Sequence, residues 1–218
     1  MAEIALLSDF GSTVSYITYI FSNSLLYPVM ILLIILVIAS LILVGEFTTE
    51  YTRRNRDQKQ FEKDTQRISK LAKSTSESNT VEIVSVLKHL EGKQTQMVSS
   101  FAREIIPSVE ENDIRFVEKT ADNYEIKMMK RTEKTRIITT IGPMLGLMGT
   151  LIPLGPALIG LTSGNIEALA TNLVIAFATT VVGLFSAGIC FCLTTVRNRW
   201  YWQDMADINY IIDALEGE

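Results

Sequence analysis

Long stretches without a single charge alternate along this chain with one long stretch that is dense in charge. Leu25 to Val44 is a run of twenty residues without a charge, long enough to cross a hydrocarbon core as a helix. Ile137 to Val196 is sixty residues long and holds one charge, Glu167. Sixty residues allow two spans joined by a hairpin near Thr162-Ser163-Gly164-Asn165. The pattern thus predicts transmembrane helices at 25–45, 137–161 and 167–196, with the hairpin at 162–166. Upstream, Leu7, Phe10, Val14, Ile17 and Phe21 recur at spacings of three and four, beside Ser8, Ser12, Ser15 and Ser22. Residues 4–22 therefore read as an amphipathic helix lying on the outer membrane surface, within an N-terminal segment 1–24.

After Val44 the composition switches to Glu46, Glu50, Arg53, Arg54 and Arg56. Span one is expected to continue as a helix through this polar region, as far as Ser74-Thr75-Ser76-Glu77-Ser78. Asn79-x-x-Glu82 has the form of a capping box and predicts a second helix that ends before Pro107. Ser108-x-x-Glu111 predicts a third, with no breaker before Gly142, feeding directly into span two. Asn165 is placed to cap span three, with Glu167 in the first turn, where the helix dipole favours an acid. Met205, Ile208, Ile212 and Leu215 form an apolar stripe on a final helix at 197–218. The expected fold class is an all-α integral membrane protein, with three transmembrane helices and long cytoplasmic helical extensions.

The placement of the basic residues orients this arrangement. Of the 20 lysines and arginines, none precedes Arg53, 18 lie between Arg53 and Arg136, and the last two are Arg197 and Arg199. By the positive-inside rule the N-terminus and the hairpin lie outside, while the 46–136 domain and the C-terminus are cytoplasmic. No basic segment precedes the first apolar run, so span one is expected to act as its own uncleaved insertion signal. Arg197-Asn198-Arg199-Trp200-Tyr201-Trp202 reads as a snorkelling basic pair with an interfacial aromatic belt.

The chemistry is concentrated in span two. Gly142 to Gly164 contains six glycines, three prolines and three hydroxyl side chains, none of which a passive anchor needs. Gly142, Gly146 and Thr150 share one face of span two. Thr179, Gly183, Ser186 and Cys190 share a face of span three, with Thr180 and Ala187 on the adjoining strip. Small residues at this spacing let helices approach closely, which in lipid is a main source of association. Pro143, Pro153 and Pro156 each free a backbone carbonyl that lipid cannot satisfy, so span two is expected to face protein or a wet cavity. Facing threonines can hold water in an otherwise dry seam. No span carries an ionisable group in its interior, because Glu167 sits at the outer mouth, and a threonine cannot titrate near neutral pH. Proton conduction would therefore need an acid from another polypeptide set against a Thr150/Thr180 seam. Cys190 and Cys192 read as buried packing residues, and His89 as a surface residue of a helical bundle. No phosphate loop, metal-ligand cluster or nucleophile elbow is present, and no enzymatic activity, cofactor, metal or nucleic-acid partner is expected.

Gly142-Pro143-Met144-Leu145-Gly146-Leu147-Met148-Gly149-Thr150 resembles the span-two motif of the MotA/TolQ/ExbB proton-channel family, and Thr180-Val181-Val182-Gly183-Leu184 resembles its span-three Thr-x-x-Gly-Leu. The order of elements is nearer the three-span TolQ and ExbB type than the four-span MotA. The resemblance implies a homopentameric ring in a prokaryotic inner membrane. This ring would surround a dimer of a single-span partner of the ExbD/TolR/MotB type, whose transmembrane aspartate carries the proton. It gives Thr150 and Thr180 the role of lining the path, with Thr179 and Glu167 beside it. Gly142, Gly146, Gly149, Gly183 and the three prolines are left to packing and shape. The sequence departs from the pattern at Ile175, where ExbB-like members often carry a glutamate. The Glu-Ala-Leu of that region corresponds instead to Glu167-Ala168-Leu169, which leaves Thr171 as the rival to Thr180 and leaves sodium open beside the proton. The alternative function is a non-conducting membrane scaffold or sensor whose cytoplasmic helices dock partners. The facing threonines, and a gene neighbour encoding a single-span protein with one intramembrane Asp, would separate the two.

Overall fold

The computed structural model describes residues 13–14, 16–54, 58–73, 77–91, 94–111 and 113–216. Among them there is no strand. Residues 16–24 are helical, and six longer helices follow: α1 (Leu26–Arg53), α2 (Gln58–Lys73), α3 (Glu77–Glu91), α4 (Gln96–Glu110), α5 (Ile114–Thr162) and α6 (Ile166–Glu216). Three helices are long and apolar enough to cross a membrane, at Tyr16–Arg53, Ile114–Thr162 and Ile166–Glu216. The chain is thus an all-α membrane protein. It divides into two compact units, residues 1–45 with 135–193, and residues 46–134 with 194–218.

In the first unit α1 turns Val29, Leu33, Leu36, Ser40 and Leu43 inward, at the spacings of four and three that keep one face of a helix buried. Its remaining surface is apolar and exposed, with Ile31, Ile34, Ile35, Ile38, Leu41 and Ile42 outward, as suits a helix bathed in lipid. Pro28 sits in the first turn, where its missing N–H interrupts nothing. Gly164, at φ 75°, makes the reversal between α5 and α6, a left-handed conformation that a side chain would strain. Asn165 caps α6 as its sequence suggests, its Oδ1 accepting the Ala168 amide at 3.0 Å. The amphipathic helix expected at 4–22 falls partly on residues 1–12 and 15, outside the described residues.

The second unit is a bundle with a core drawn from five helices. Phe61 and Ile68 of α2, Leu87 and Leu90 of α3, and Val98, Phe101 and Ile105 of α4 pack with Val117 and Tyr124 of α5 and Ile208 and Ile211 of α6. The stripe on the C-terminal helix is as its spacing suggests: Met205, Ile208 and Ile212 are buried, and Leu215 packs at the edge of the core. His89 is exposed, with its Nδ1 3.0 Å from Oδ2 of the mostly buried Asp64.

Several helix ends differ from the sequence expectation. The helix of span one stops at Arg53 rather than running on to Ser74, and the Arg54 guanidinium is held by Asp204 and the Trp200 carbonyl. Residues 74–76, where that end was expected, lie outside the described residues. Asn79 lies inside α3 rather than at its start, and its side chain donates to the Leu71 carbonyl. The single helix expected between Asn79 and Pro107 is two, and Gly92, a favoured helix-stop residue, follows the last residue of α3. Pro107 lies within α4. Burial of Phe101, Ala102, Ile105 and Ser108 along one face offsets the backbone bond that proline removes. The start of α5 is set by Asp113, whose Oδ1 accepts the Phe116 amide at 3.2 Å, and not by Ser108. Asp113→Ala should therefore lower the unfolding free energy by about 1 kcal/mol. Urea or thermal unfolding followed by circular dichroism measures this, and an unchanged midpoint would remove Asp113 as the cap.

Candidate functional site

The membrane halves of α5 and α6 meet along two matching stripes. Gly142, Leu145, Gly146, Gly149, Pro153, Ala157 and Gly160 are buried on α5, and Ala176, Thr179, Gly183, Ser186, Ala187 and Cys190 on α6. At the end of the seam away from the hairpin the two backbones touch. A methyl group on Gly183 would lie 2.6 Å from the Gly142 carbonyl oxygen and 3.0 Å from Gly146 Cα. One on Gly142 would lie 2.9 Å from the Gly183 carbonyl oxygen. Midway, a methyl on Gly149 would overlap Thr179 Cβ and Oγ1 at 2.6 Å, so this glycine forms the socket for that threonine. At the hairpin end Gly160 sits against the Ala168 methyl and the Asn165 carbonyl.

The four candidate pathway residues occupy different environments. Thr179 is buried and donates to the Ala176 carbonyl at 2.9 Å. Thr180 is half-buried and donates to the Ala176 carbonyl at 3.1 Å, with the Gly146 carbonyl of α5 at 3.5 Å. It is the one seam hydroxyl that reaches across to the other helix. Thr150 is half-exposed on the flank and donates to Leu147 of its own helix at 2.7 Å. Thr150 and Thr180 are therefore not joined by a hydrogen bond. Glu167 is exposed in the first turn of α6, where its carbonyl accepts the Thr171 hydroxyl. Thr171 is exposed and away from the buried stripe, so geometry places Thr180 in the seam and the rival Thr171 outside it.

Pro143, Pro153 and Pro156 all lie inside α5. Proline has no N–H, so Pro153 and Pro156 leave the carbonyls of Gly149 and Ile152 without the usual helical donor. Pro153 is buried and Pro143 and Pro156 are half-buried, which keeps this part of the helix turned toward protein. The cysteines do not share an environment: Cys190 is buried and Cys192 exposed, because residues two apart on a helix face opposite ways.

Sequence reasoning missed a buried polar network at the other end of α6. Arg197 is 5% exposed, and its Nε donates to Glu50 at 3.0 Å. Tyr201 donates to the second oxygen of the same carboxylate at 2.7 Å. One turn along, Arg54 donates to Asp204 at 2.7 Å and stacks over the Trp200 ring, which lies parallel to Phe47 at 5.1 Å. Arg197 is thus not a snorkelling residue, and Trp200 and Tyr201 are buried rather than interfacial; Arg199 and Trp202 are the exposed pair. Two signals were available: Glu50 and Arg54 stand four apart, and Asp204 interrupts the apolar stripe beside Met205. Burial pushes the Asp204 carboxyl up to about 6 against the opposing pull of Arg54. Burial, helped by the Glu50 carboxylate, pushes the Tyr201 phenol up to about 12.

The sequence profile of the MotA/TolQ/ExbB proton channel family matches residues 93–202, half of the chain. Nothing matches it among curated proteins or solved structures.

Gly183→Ala should push α5 and α6 apart and destabilise the membrane unit by about 1–3 kcal/mol. Gly188→Ala should be close to neutral, since nothing lies within 4 Å of the added methyl. Thermal unfolding in detergent compares the two, and equal midpoints would contradict the close approach. Asp204 supplies a second test. Its folded pKa lies above the usual 3.8, so the folded state binds the proton more tightly and this group's contribution to stability falls as pH rises from about 4 to about 6. Asp204→Asn should remove that slope from the midpoint-versus-pH curve; an unchanged slope would assign the titration elsewhere.

Proposed function

The chain belongs to the MotA/TolQ/ExbB proton channel family, and on that premise we propose that it is the channel-forming stator subunit of a membrane motor driven by an ion gradient. Five copies would form a ring around two copies of a single-span protein whose intramembrane aspartate carries the ion. The ring would sit in the inner membrane of a prokaryotic cell, with the N-terminus outside and the C-terminus cytoplasmic. The role proposed is transport coupled to force and not catalysis.

The observation that carries this reading is the chemistry of the seam. Thr180 sets a hydroxyl between α5 and α6, Thr150 stands half-exposed on the flank, and among the described residues no carboxylate, amine, guanidinium or imidazole lies in the interior of the spans. Hydroxyls can relay hydrogen bonds to a passing carboxyl group, but they cannot hold the charge themselves. The carrier must come from outside the chain. Thr179, enclosed against Gly149, is the packing member of the set. The driving force is adequate: one charge crossing 100 mV releases about 2.3 kcal/mol. One observation favours the scaffold reading, since Thr150, Thr179 and Thr180 each have a carbonyl acceptor in their own helix, as hydroxyls in inert spans do.

The mass of the detergent-purified complex, co-expressed with its gene neighbours, distinguishes the readings. Five copies with two of an Asp-bearing single-span protein are expected, and a monomer or dimer without such a partner would leave the scaffold. In proteoliposomes of that complex, the double variant Thr150→Val/Thr180→Val should abolish proton uptake and keep the same mass. Undiminished uptake would remove the seam as the path. Glu167→Gln should slow uptake if the acid at the mouth feeds the path, and an unchanged rate would reduce Glu167 to a helix-start residue.

A further inference from the structure

The charged bundle carries a half-open pocket of about 350 Å³ whose walls include four arginines, Arg53, Arg54, Arg131 and Arg197, and the first turn of α4. Two of the four are already neutralised, Arg54 by Asp204 at 2.7 Å and Arg197 by Glu50 at 3.0 Å. Arg53 and Arg131 form no ion pair among the described residues, and the one other carboxylate in the wall is Glu46. With the pairs set aside, the cavity holds two positive charges against one negative.

The backbone adds to this. Thr95 occupies the N-cap position of the fifteen-residue helix α4, yet its side chain makes no capping hydrogen bond. Its hydroxyl is buried beside the Asp204 carboxyl, which it reaches only in poor hydrogen-bond geometry. The amides of Gln96 and Met97 have no acceptor within the helix and belong to the positive end of its dipole, and both residues line the cavity. A helix N-terminus with free amides beside unpaired guanidinium groups is the arrangement that receives an anion, and guanidinium in particular suits the forked oxygens of phosphate.

We propose that this cavity binds a phosphate-bearing anion, with Arg53 and Arg131 as its charge partners and the first turn of α4 and the Thr95 hydroxyl as neutral donors. The ion pairs Arg54–Asp204 and Arg197–Glu50 form the fixed part of the wall and hold the site in shape. The lining residues stand close in sequence to the ends of two spans: Glu46 is the first charge after the run that ends at Val44, and Arg197 the first after Val196. The phosphate can therefore come from a lipid headgroup or from solution.

Thermal unfolding of the purified full-length protein in neutral detergent tests this, with phosphatidylglycerol, phosphatidylcholine or inorganic phosphate added at constant ionic strength. A rise in midpoint with phosphatidylglycerol but not phosphatidylcholine supports the site and assigns a lipid source. The same rise with inorganic phosphate supports the site and assigns a soluble one. In either case Arg53→Gln/Arg131→Gln should weaken the apparent affinity roughly 30-fold. Both arginines are exposed, so the pair should not unfold the chain, and an unshifted midpoint without additive verifies this. Lys59→Gln/Lys63→Gln, which removes the same charge from an exposed face of α2, should leave the affinity unchanged. A rise that is equal for both lipids, absent with every additive, or equally reduced by the lysine pair overturns the proposal.

Discussion

The contact between the Gly142 and Gly183 backbones is the constraint on which the membrane unit depends. In lipid, apolar side chains gain nothing from leaving their surroundings, so two helices hold together through close packing and the hydrogen bonds that closeness permits. Once the carbonyl of Gly142 rests where a side chain of residue 183 would be, the rest of the seam follows at helical spacing. Gly146 lies under Thr180, which brings the hydroxyl to within 3.5 Å of the Gly146 carbonyl. Gly149 lies under Thr179 and leaves no room for anything larger than hydrogen. Position 150 then falls one residue off the contact line, on the flank, and that is why Thr150 remains half-exposed.

Side-chain charge does in the bundle what missing side chains do in the seam. Leu, Ile and Phe tolerate sliding past one another, whereas a carboxylate buried beside one particular guanidinium does not. Asp204 and Arg197 are both nearly inaccessible, and among the described residues each has one ion-pair partner, Arg54 and Glu50. Such pairs contribute little net stability, because desolvation offsets their attraction, but separating them strands a buried charge at about 3–5 kcal/mol. They therefore fix the register of the 46–54 segment against residues 197–204 of α6. The Trp200 ring lies against the Arg54 guanidinium and stacks in turn with Phe47 and Tyr51. The helix α1 ends at Arg53, directly before the residue that makes this pair.

Much of this could be read from the sequence, and the exceptions share a cause. Runs without charge reveal spans because a membrane tolerates no alternative, and spacings such as Met205–Ile208–Ile212 reveal a buried face because the helical period admits no other reading. Gly142, Gly146 and Gly183 were legible as packing residues for the same reason. Helix ends were not. Asn79-x-x-Glu82 and Ser108-x-x-Glu111 have the local chemistry of caps, but each lies within a longer apolar face whose burial outweighs a cap worth about 1 kcal/mol. The Arg197–Glu50 and Arg54–Asp204 pairs join residues some 150 positions apart, a distance no local pattern encodes. Basic residues at the end of a span look the same whether they reach to lipid headgroups or turn inward to a carboxylate.

The oxygens of the seam set a limit on what this polypeptide can do alone. Thr150 and Thr180 contribute hydroxyls, and Pro153 and Pro156 release the carbonyls of Gly149 and Ile152 from the helical ladder. All of these are neutral. Neutral oxygens can solvate a proton in passing or share a hydrogen bond with a carboxylic acid, but they have no protonation state to hold between one event and the next. A cycle that couples ion movement to rotation needs a group that is charged in one position and neutral in another. Among the described residues the interior of the spans contains no carboxylate, amine or imidazole to serve as such a group, and the nearest carboxylate, Glu167, is exposed at the first turn of α6. On the proposed reading the chain therefore supplies the track and its partner the switching charge. The close packing of α5 on α6 keeps the track rigid while the charge moves past it.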